Sequence, residues 1–272
     1  MAKNKYIKHL LMCRPDYFRV DYSINPWMKP GSVNQGKANS QWNELLKAIL
    51  KSDINVDIIK QKRGLTDMVF SADQGIIKIG VMALSNFHHP QRKKETEAYL
   101  PHLKKLVASI YTIDNSIDFE GSGDAIPWND KIFLGTGERT SGEATAKLAS
   151  IFNTRVIPLR LVNPYFYHLD TCLLFINQTT AFFFPEAFDP RSQEILKKLI
   201  PNLLPLLKNE AYCLAANSLI TDHQAIIPRA PLSFANKLRA LNYRVTTVDV
   251  SEFIKAGGGI HCLTQTIQEK YE

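Results

Sequence analysis

Gly75-Ile76-Ile77-Lys78-Ile79-Gly80-Val81-Met82-Ala83-Leu84 is an apolar run of strand length, and Gln91 to Val107 behind it carries apolar residues at helical spacing. A second strand-like stretch, Ser109 to Ile113, follows. This interleaving predicts an α/β fold, and it continues in both directions. Upstream, Trp42, Leu45, Leu46, Ile49 and Leu50 mark a helix between Ser40 and Ser52 that feeds a strand at Val56 to Ile59. Downstream, Lys131 to Leu134 reads as strand, Glu143 to Phe152 as helix, and Arg155 to Val162 and Tyr167 to Ile176 as strands. Gln193 to Leu207 reads as a helix whose second half Pro201 and Pro205 break or kink. Short strands are predicted at Ala211 to Ala215, Ser218 to Thr221 and Ala225 to Ile227, a helix at Pro231 to Leu241, and a strand at Arg244 to Val248. No polar, Pro/Gly-rich linker interrupts the series, so one domain over residues 1–272 is expected.

With 272 residues, 45% of them apolar, the chain is long enough to bury a core without disulfides, and a disordered chain is excluded. No stretch approaches the roughly 18 consecutive apolar residues of a membrane span. The segment Met1 to Phe18 has too short an apolar core for a secretion signal. The formal charge of +7 comes largely from lysine pairs such as Lys93-Lys94 and Lys197-Lys198 on helix-like segments, which describes a solvated face. No nucleic-acid or membrane partner is expected. Cys13, Cys172, Cys213 and Cys262 are scattered without a C-x-x-C pair, in keeping with reduced thiols in a cytoplasm. His88-His89 and His261-Cys262 diverge as neighbours on extended chain and have no third ligand at metal spacing, so no metal site is expected.

The segment Lys255-Ala256-Gly257-Gly258-Gly259-Ile260-His261-Cys262-Leu263-Thr264 points to chemistry. Three glycines permit close backbone approach and positive φ ahead of a cysteine expected to sit exposed where a loop meets a strand. A thiol with an ordinary pKa of about 8.5 needs a base or a cationic neighbour to act as a nucleophile. His168 is the preferred partner, because strand alternation through Tyr167-His168-Leu169-Asp170-Thr171-Cys172 places His168 and Asp170 on one face. The same alternation turns His261 away from Cys262. Two acidic segments, Leu65 to Gly75 with Asp67 and Asp73, and Asp118 to Ala125 with Glu120, set carboxylates beside glycine and apolar residues, where an unpaired charge is costly.

These segments, with Met12 to Asp16, Asp21 to Met28, and Glu252-Phe253 running on through Cys262, resemble end to end the guanidino-group-modifying enzymes. That superfamily includes arginine deiminases and dihydrolases, dimethylarginine dimethylaminohydrolases, agmatine deiminases and amidinotransferases. The resemblance implies a five-bladed α/β propeller, or pentein, of pseudo-repeated ββαβ units with its site in the central channel. It implies Cys262 as nucleophile, His168 as general acid/base and Glu120 as the carboxylate that orients that histidine. It further implies Asp73 and Asp170 as the grip on a guanidinium, Arg92 and Arg139 as ligands of a substrate carboxylate, and Asp67 and Asn25 among the substrate-binding residues. Neither cofactor nor metal is implied, the partner is a small guanidino compound, and a homo-oligomer is possible.

Asp170 favours a guanidine that still carries N–H groups, since dimethylarginine hydrolases commonly lack Asp at this His-x-Asp position. Asp73 stands where dihydrolase-like relatives carry Asn, which favours a reaction that stops at citrulline. Methylarginine hydrolysis, two-step hydrolysis to ornithine, amidino transfer and a non-catalytic binding protein are the alternatives.

Overall fold

The apolar run at 75–84 is two strands, not one. Ile79 and Gly80 both take positive φ (51° and 73°) between the paired residues Lys78 and Val81, the combination a two-residue type I′ hairpin turn requires. The computed structural model describes residues 5–271.

The chain opens with β1 (Lys5–Cys13), α1 (Gln35–Leu50) and β2 (Asn55–Ile59). Four strand–strand–helix–strand units follow: β3 (Gly75–Lys78), β4 (Val81–Leu84), α2 (Glu95–Leu103), β5 (Ser109–Tyr111), then β6 (Ala125–Trp128), β7 (Lys131–Thr136), α3 (Ala144–Phe152), β8 (Arg155–Arg160). The last two are β9 (Leu173–Phe175), β10 (Thr180–Phe183), α4 (Pro190–Leu199), β11 (Asn202–Pro205) and β12 (Leu219–Ile220), β13 (Gln224–Pro228), α5 (Leu232–Ala240), β14 (Arg244–Val248). In each unit the second strand is central, antiparallel to the first and parallel to the third. The fifth sheet obeys the same rule across the two ends of the described chain: β15 (Gln265–Tyr271) pairs antiparallel with β1, which pairs parallel with β2.

The first strands, β3, β6, β9, β12 and β15, surround a common channel. A cavity of about 740 Å³ is lined by Ile77, Trp128, Phe175, Ile220 and Thr266, one from each of them. The helices pack on the central strands. On α1, Ala38, Trp42, Leu45 and Ile49 recur on one stripe and meet Leu10 and Met12 of β1, while Asn34 caps the helix by accepting from the Lys37 amide at 2.9 Å. Each such side chain buried is worth about 1.5–3 kcal/mol.

Three sequence expectations are corrected. The helix expected over 193–207 ends at Leu199, and the residues beyond it form β11, an edge strand whose outer side has no ladder to lose at Pro205. The strand expected at 211–215 is instead the end of a short helix, Lys208–Ala211, held at its start by the Glu210 carboxylate accepting from the Leu207 amide at 2.9 Å. The strand expected from Tyr167 begins only at Leu173, because Leu169–Thr171 is a helical turn in which Thr171 Oγ1 donates back to the His168 carbonyl at 2.6 Å. Among the described residues, no helix is long and apolar enough to cross a membrane.

Candidate active site

The residues singled out in the sequence gather at one end of the channel: the cysteine, the histidine and the carboxylates ahead of inner strands, and Asn25, Arg92 and Arg139 in the loops between a central strand and its helix. Asp73 lies in the turn Ser71–Gln74 before β3, Glu120 before the short helix Gly121–Asp124 and β6, His168 and Asp170 before β9, and Cys262 before β15. A propeller brings the same structural position of each blade to one place, which is why residues so far apart in sequence meet here.

Cys262 is 2% exposed, not open to solvent as its glycine lead-in suggested. The glycines serve approach: a Cβ on Gly258 would overlap the Phe70 ring, and Gly257 takes φ +89°. Asp170 Oδ2 accepts from Cys262 Sγ at 3.2 Å. Burial pushes the thiol well above its ordinary value, and the nearby charges of Asp170 and Asp73 push it the same way.

His168 Nε2 donates to Glu120 Oε2 at 2.7 Å, leaving Nδ1 toward Asp73 Oδ1 at 3.8 Å. Because a carboxylate only accepts, this bond assigns a proton to Nε2. Burial alone would lower the His168 pKa, but Asp124, Asp73 and Glu120 together push it up to about 9. Glu120 would be raised by burial; Arg139, donating to it at 3.0 Å, and His168 hold it well below the usual carboxylate range. The imidazole is thus kept as a cation, the form that can give a proton.

Above the thiol lies a narrow pocket lined in part by Asp67, Asp73, Arg92, Arg139, Tyr167 and Cys262, with Asn25 at its edge. Its free volume is only about 10 Å³, and the large channel, with Asp170 and His261 in its wall, does not include the sulfur. Asp67 Oδ2 accepts from Tyr22 at 2.8 Å and Asp73 Oδ2 from Arg92 at 2.8 Å. The other oxygens, Asp67 Oδ1 and Asp73 Oδ1, and likewise Asp170 Oδ1, are buried without a hydrogen-bond partner. Three orphaned acceptors beside one thiol are costly unless a donor-rich cation fills the space.

Arg92 has its donors on Asp73, Glu95 and the Asp67 carbonyl, while Arg139 stacks on Tyr167 at 4.5 Å and keeps Nε without a partner. Asn25 Nδ2 donates to the Ala256 carbonyl at 3.1 Å, tying the loop that carries Cys262 to the N-terminal segment.

Sequence reasoning missed several members. His261 was expected to face away, yet the 260–264 segment turns, and its Nδ1 meets Asp170 Oδ2 at 2.8 Å, the same oxygen that the Cys262 thiol contacts. Tyr22 lay in the Asp21 to Met28 segment without being given a role, and Asn217 carried no motif; its one trace was a polar break between Ala216 and the predicted strand at Ser218.

A pentein propeller with a cysteine, a charged histidine and carboxylates that each keep one unpartnered oxygen defines a hydrolase of C–N bonds in guanidino groups. Residues 14–269 match the family described as N,N dimethylarginine dimethylhydrolase, eukaryotic, and the chain belongs to that family. It is 33% identical over 257 residues to the N(G),N(G)-dimethylarginine dimethylaminohydrolase of Mycobacterium tuberculosis, covering 94% of this chain and 84% of that protein. To the bifunctional arginine dihydrolase/ornithine cyclodeaminase ArgZ of Synechocystis it is 32% identical over 96% of its own length but only 38% of ArgZ. The solved N-terminal domain of an ArgZ variant covalently bonded to a reaction intermediate superposes with a TM-score of 0.92 at 31% identity, covering 96% of this chain and 97% of that one.

Proposed function

We propose that the protein hydrolyses the guanidine carbon of free arginine or a close derivative, giving citrulline and ammonia. The observation that carries this reading is the set of orphaned oxygens Asp67 Oδ1, Asp73 Oδ1 and Asp170 Oδ1 beside the Cys262 thiol. A planar guanidinium offers N–H groups on all its edges and satisfies them with charge-assisted bonds, holding its carbon against the sulfur. The unpartnered Arg139 Nε supports a role for this side chain in holding the amino acid's carboxylate.

The entering cation also resolves the thiol's difficulty. Cys262 is held protonated by burial and by Asp170 and Asp73; a positive charge placed beside it favours the thiolate, whose proton leaves to solvent. The thiolate forms a C–S bond, and the π electrons of the guanidinium move onto nitrogen. His168 passes its Nδ1 proton to the departing nitrogen, whose C–N bond breaks with the electron pair, leaving an amidino-thioether and a neutral imidazole. Water then attacks as Nδ1 takes one of its protons; the adduct collapses to the urea group of citrulline, the C–S bond breaking as the remaining hydroxyl proton returns to the sulfur, and the freed ammonia is protonated in solution. No metal or organic cofactor enters this sequence. Asp73 supports a reaction that ends there.

Membership of the dimethylarginine family favours a second reading, release of dimethylamine from dimethylarginine. Product analysis by mass spectrometry, with arginine, asymmetric dimethylarginine, citrulline and agmatine offered separately and Cys262→Ser as the blank, decides. Citrulline with ammonia from arginine is the expected outcome. Dimethylamine would establish the second reading, ornithine would refute the single step, and product from arginine only when an amine acceptor is added would make the protein a transferase.

A further inference from the structure

Four blades deliver Asp73, Glu120, His168 with Asp170, and Cys262 to the site from the segment before their inner strand; in the remaining blade the residue two before β12 is Asn217. It is completely buried. Its Oδ1 accepts from the backbone amides of Gly259 at 3.0 Å and Cys262 at 3.1 Å. Two amide donors can be met only by an acceptor, so the side chain's orientation is fixed, and Nδ2 is the atom that faces Cys262 Sγ at 3.0 Å. The Asn217 carbonyl also accepts from the amides of Ile260 at 3.0 Å and His261 at 3.2 Å. One residue therefore satisfies four consecutive amides of the nucleophile turn and aims an N–H at its sulfur. The approach is tight: a Cβ on Gly259 would lie 2.9 Å from Asn217 Oδ1, which explains the last glycine of the run.

We propose that Asn217 is a catalytic residue, the donor that holds the Cys262 sulfur as the attacking and departing anion. The inference rests on the thiol chemistry proposed above. Among the described residues, Nδ2 is the side-chain N–H that donates to Sγ, and beside it the Gly259 backbone amide also favours the anion. The charged groups facing the sulfur divide against it: Asp170 in contact and Asp67 and Asp73 across the pocket oppose the anion, and the Arg92 and Arg139 cations opposite are already paired with Asp73, Glu95 and Glu120. The Tyr167 phenol is kept neutral by burial, and His261 is bound to Asp170 Oδ2. A neutral amide supplies stabilisation without competing for the guanidinium's carboxylates, and it acts both when sulfur attacks and when it leaves.

The test is Asn217→Asp, which keeps an acceptor for both amides and replaces the donor with an oxygen. Alkylation of Cys262 by iodoacetamide is followed against pH by peptide mass spectrometry, alongside kcat and KM for arginine. The expected result is an alkylation midpoint at least one pH unit higher, kcat lowered at least 100-fold and KM within about threefold, consistent with loss of one oxyanion-type donor. An unshifted midpoint with wild-type kcat overturns the proposal. If this variant melts early, Asn217→Ser takes its place with the same readouts, and failure of both to fold assigns Asn217 to architecture and overturns its catalytic role. Alkylation needs no turnover. Wild-type protein inert toward every guanidine refutes the proposed activity, whereas an unmoved alkylation profile refutes only the role of Asn217.

Discussion

His168 and Arg139 bind the same oxygen of Glu120, Oε2, at 2.7 and 3.0 Å, so the carboxylate that charges the histidine is itself pinned by a buried cation. Glu120→Gln removes that charge without removing the bond. The His168 pKa, pushed up to about 9, then falls, and the alkaline limb of kcat moves to lower pH because the general acid is lost sooner. At pH 8 the rate drops by about 100-fold, the low end of what a positioned acid supplies. A pH–rate profile checks this; an alkaline limb that stays in place would separate Glu120 from the charge on His168.

The same charge predicts a stability effect. His168 is raised in the folded chain above its ordinary 6.5, so its contribution is complete below about pH 6.5 and is lost as the pH rises through about 9. Melting temperature measured from pH 6 to pH 10 should fall across that window in the wild type, with a smaller fall in Glu120→Gln. A fall as steep in the variant would assign the slope to other groups.

Asp170 has one oxygen shared by His261 and Cys262 and one left bare. Asp170→Asn keeps an oxygen for the His261 bond and loses the charge. The loss of a charge-assisted contact, about 1.5–3 kcal/mol, weakens arginine binding roughly 10- to 100-fold. The melting temperature is expected to hold, because a buried carboxylate with an unsatisfied oxygen does not stabilise the apo fold. Calorimetric titration of arginine into a Cys262→Ser background, so that nothing turns over, gives the affinity; unchanged affinity with a collapsed melting temperature would make Asp170 structural.

The fold class and the candidate cysteine were legible because their signals are local: helical stripes such as Trp42, Leu45 and Ile49, and a glycine run three residues ahead of Cys262. The five-blade arrangement was implied by resemblance, not periodicity, because the inner strands are only two to seven residues long and too short to declare a period. The His168–Asp170 pairing was reasoned from strand alternation, but their backbone is a helical turn, and what joins them to Cys262 is the meeting of blades. Asn217 was illegible for the converse reason. Its partners are backbone amides more than 40 residues away, and a backbone contact leaves no mark on the residue letters.

Gly123 carries a prediction about spacing. A Cβ there would lie 2.7 Å from Asp73 Oδ1 and 2.9 Å from His168 Nδ1, the proton-transferring atom and the carboxylate beside it. Gly123→Ala therefore pushes the acid away from the guanidinium, and displacement on the order of 1 Å costs about 100-fold in rate. The backbone has no positive φ to lose at this position, so folding should change by less than the roughly 1–3 kcal/mol of ordinary overpacking. Steady-state kinetics and a denaturant melt on the same sample separate the two; near-wild-type kcat would mean that the His168–Asp73 wall yields freely.

Ile79 tests the hairpin that divides the 75–84 run. It is 86% exposed at φ 51°, a conformation that costs a side-chain-bearing residue about 1–2 kcal/mol and suits a β-branched one least. Ile79→Asn places a residue favoured in the left-handed region at the same turn position and removes an exposed apolar side chain. The expected gain is about 1 kcal/mol, near 2 °C in melting temperature for a chain of this size. Activity should be unaffected, because the turn lies beyond the end of β3 remote from Asp73, which precedes that strand's start. A drop in melting temperature would mean that Ile79 makes an apolar contact worth more than the strain it bears.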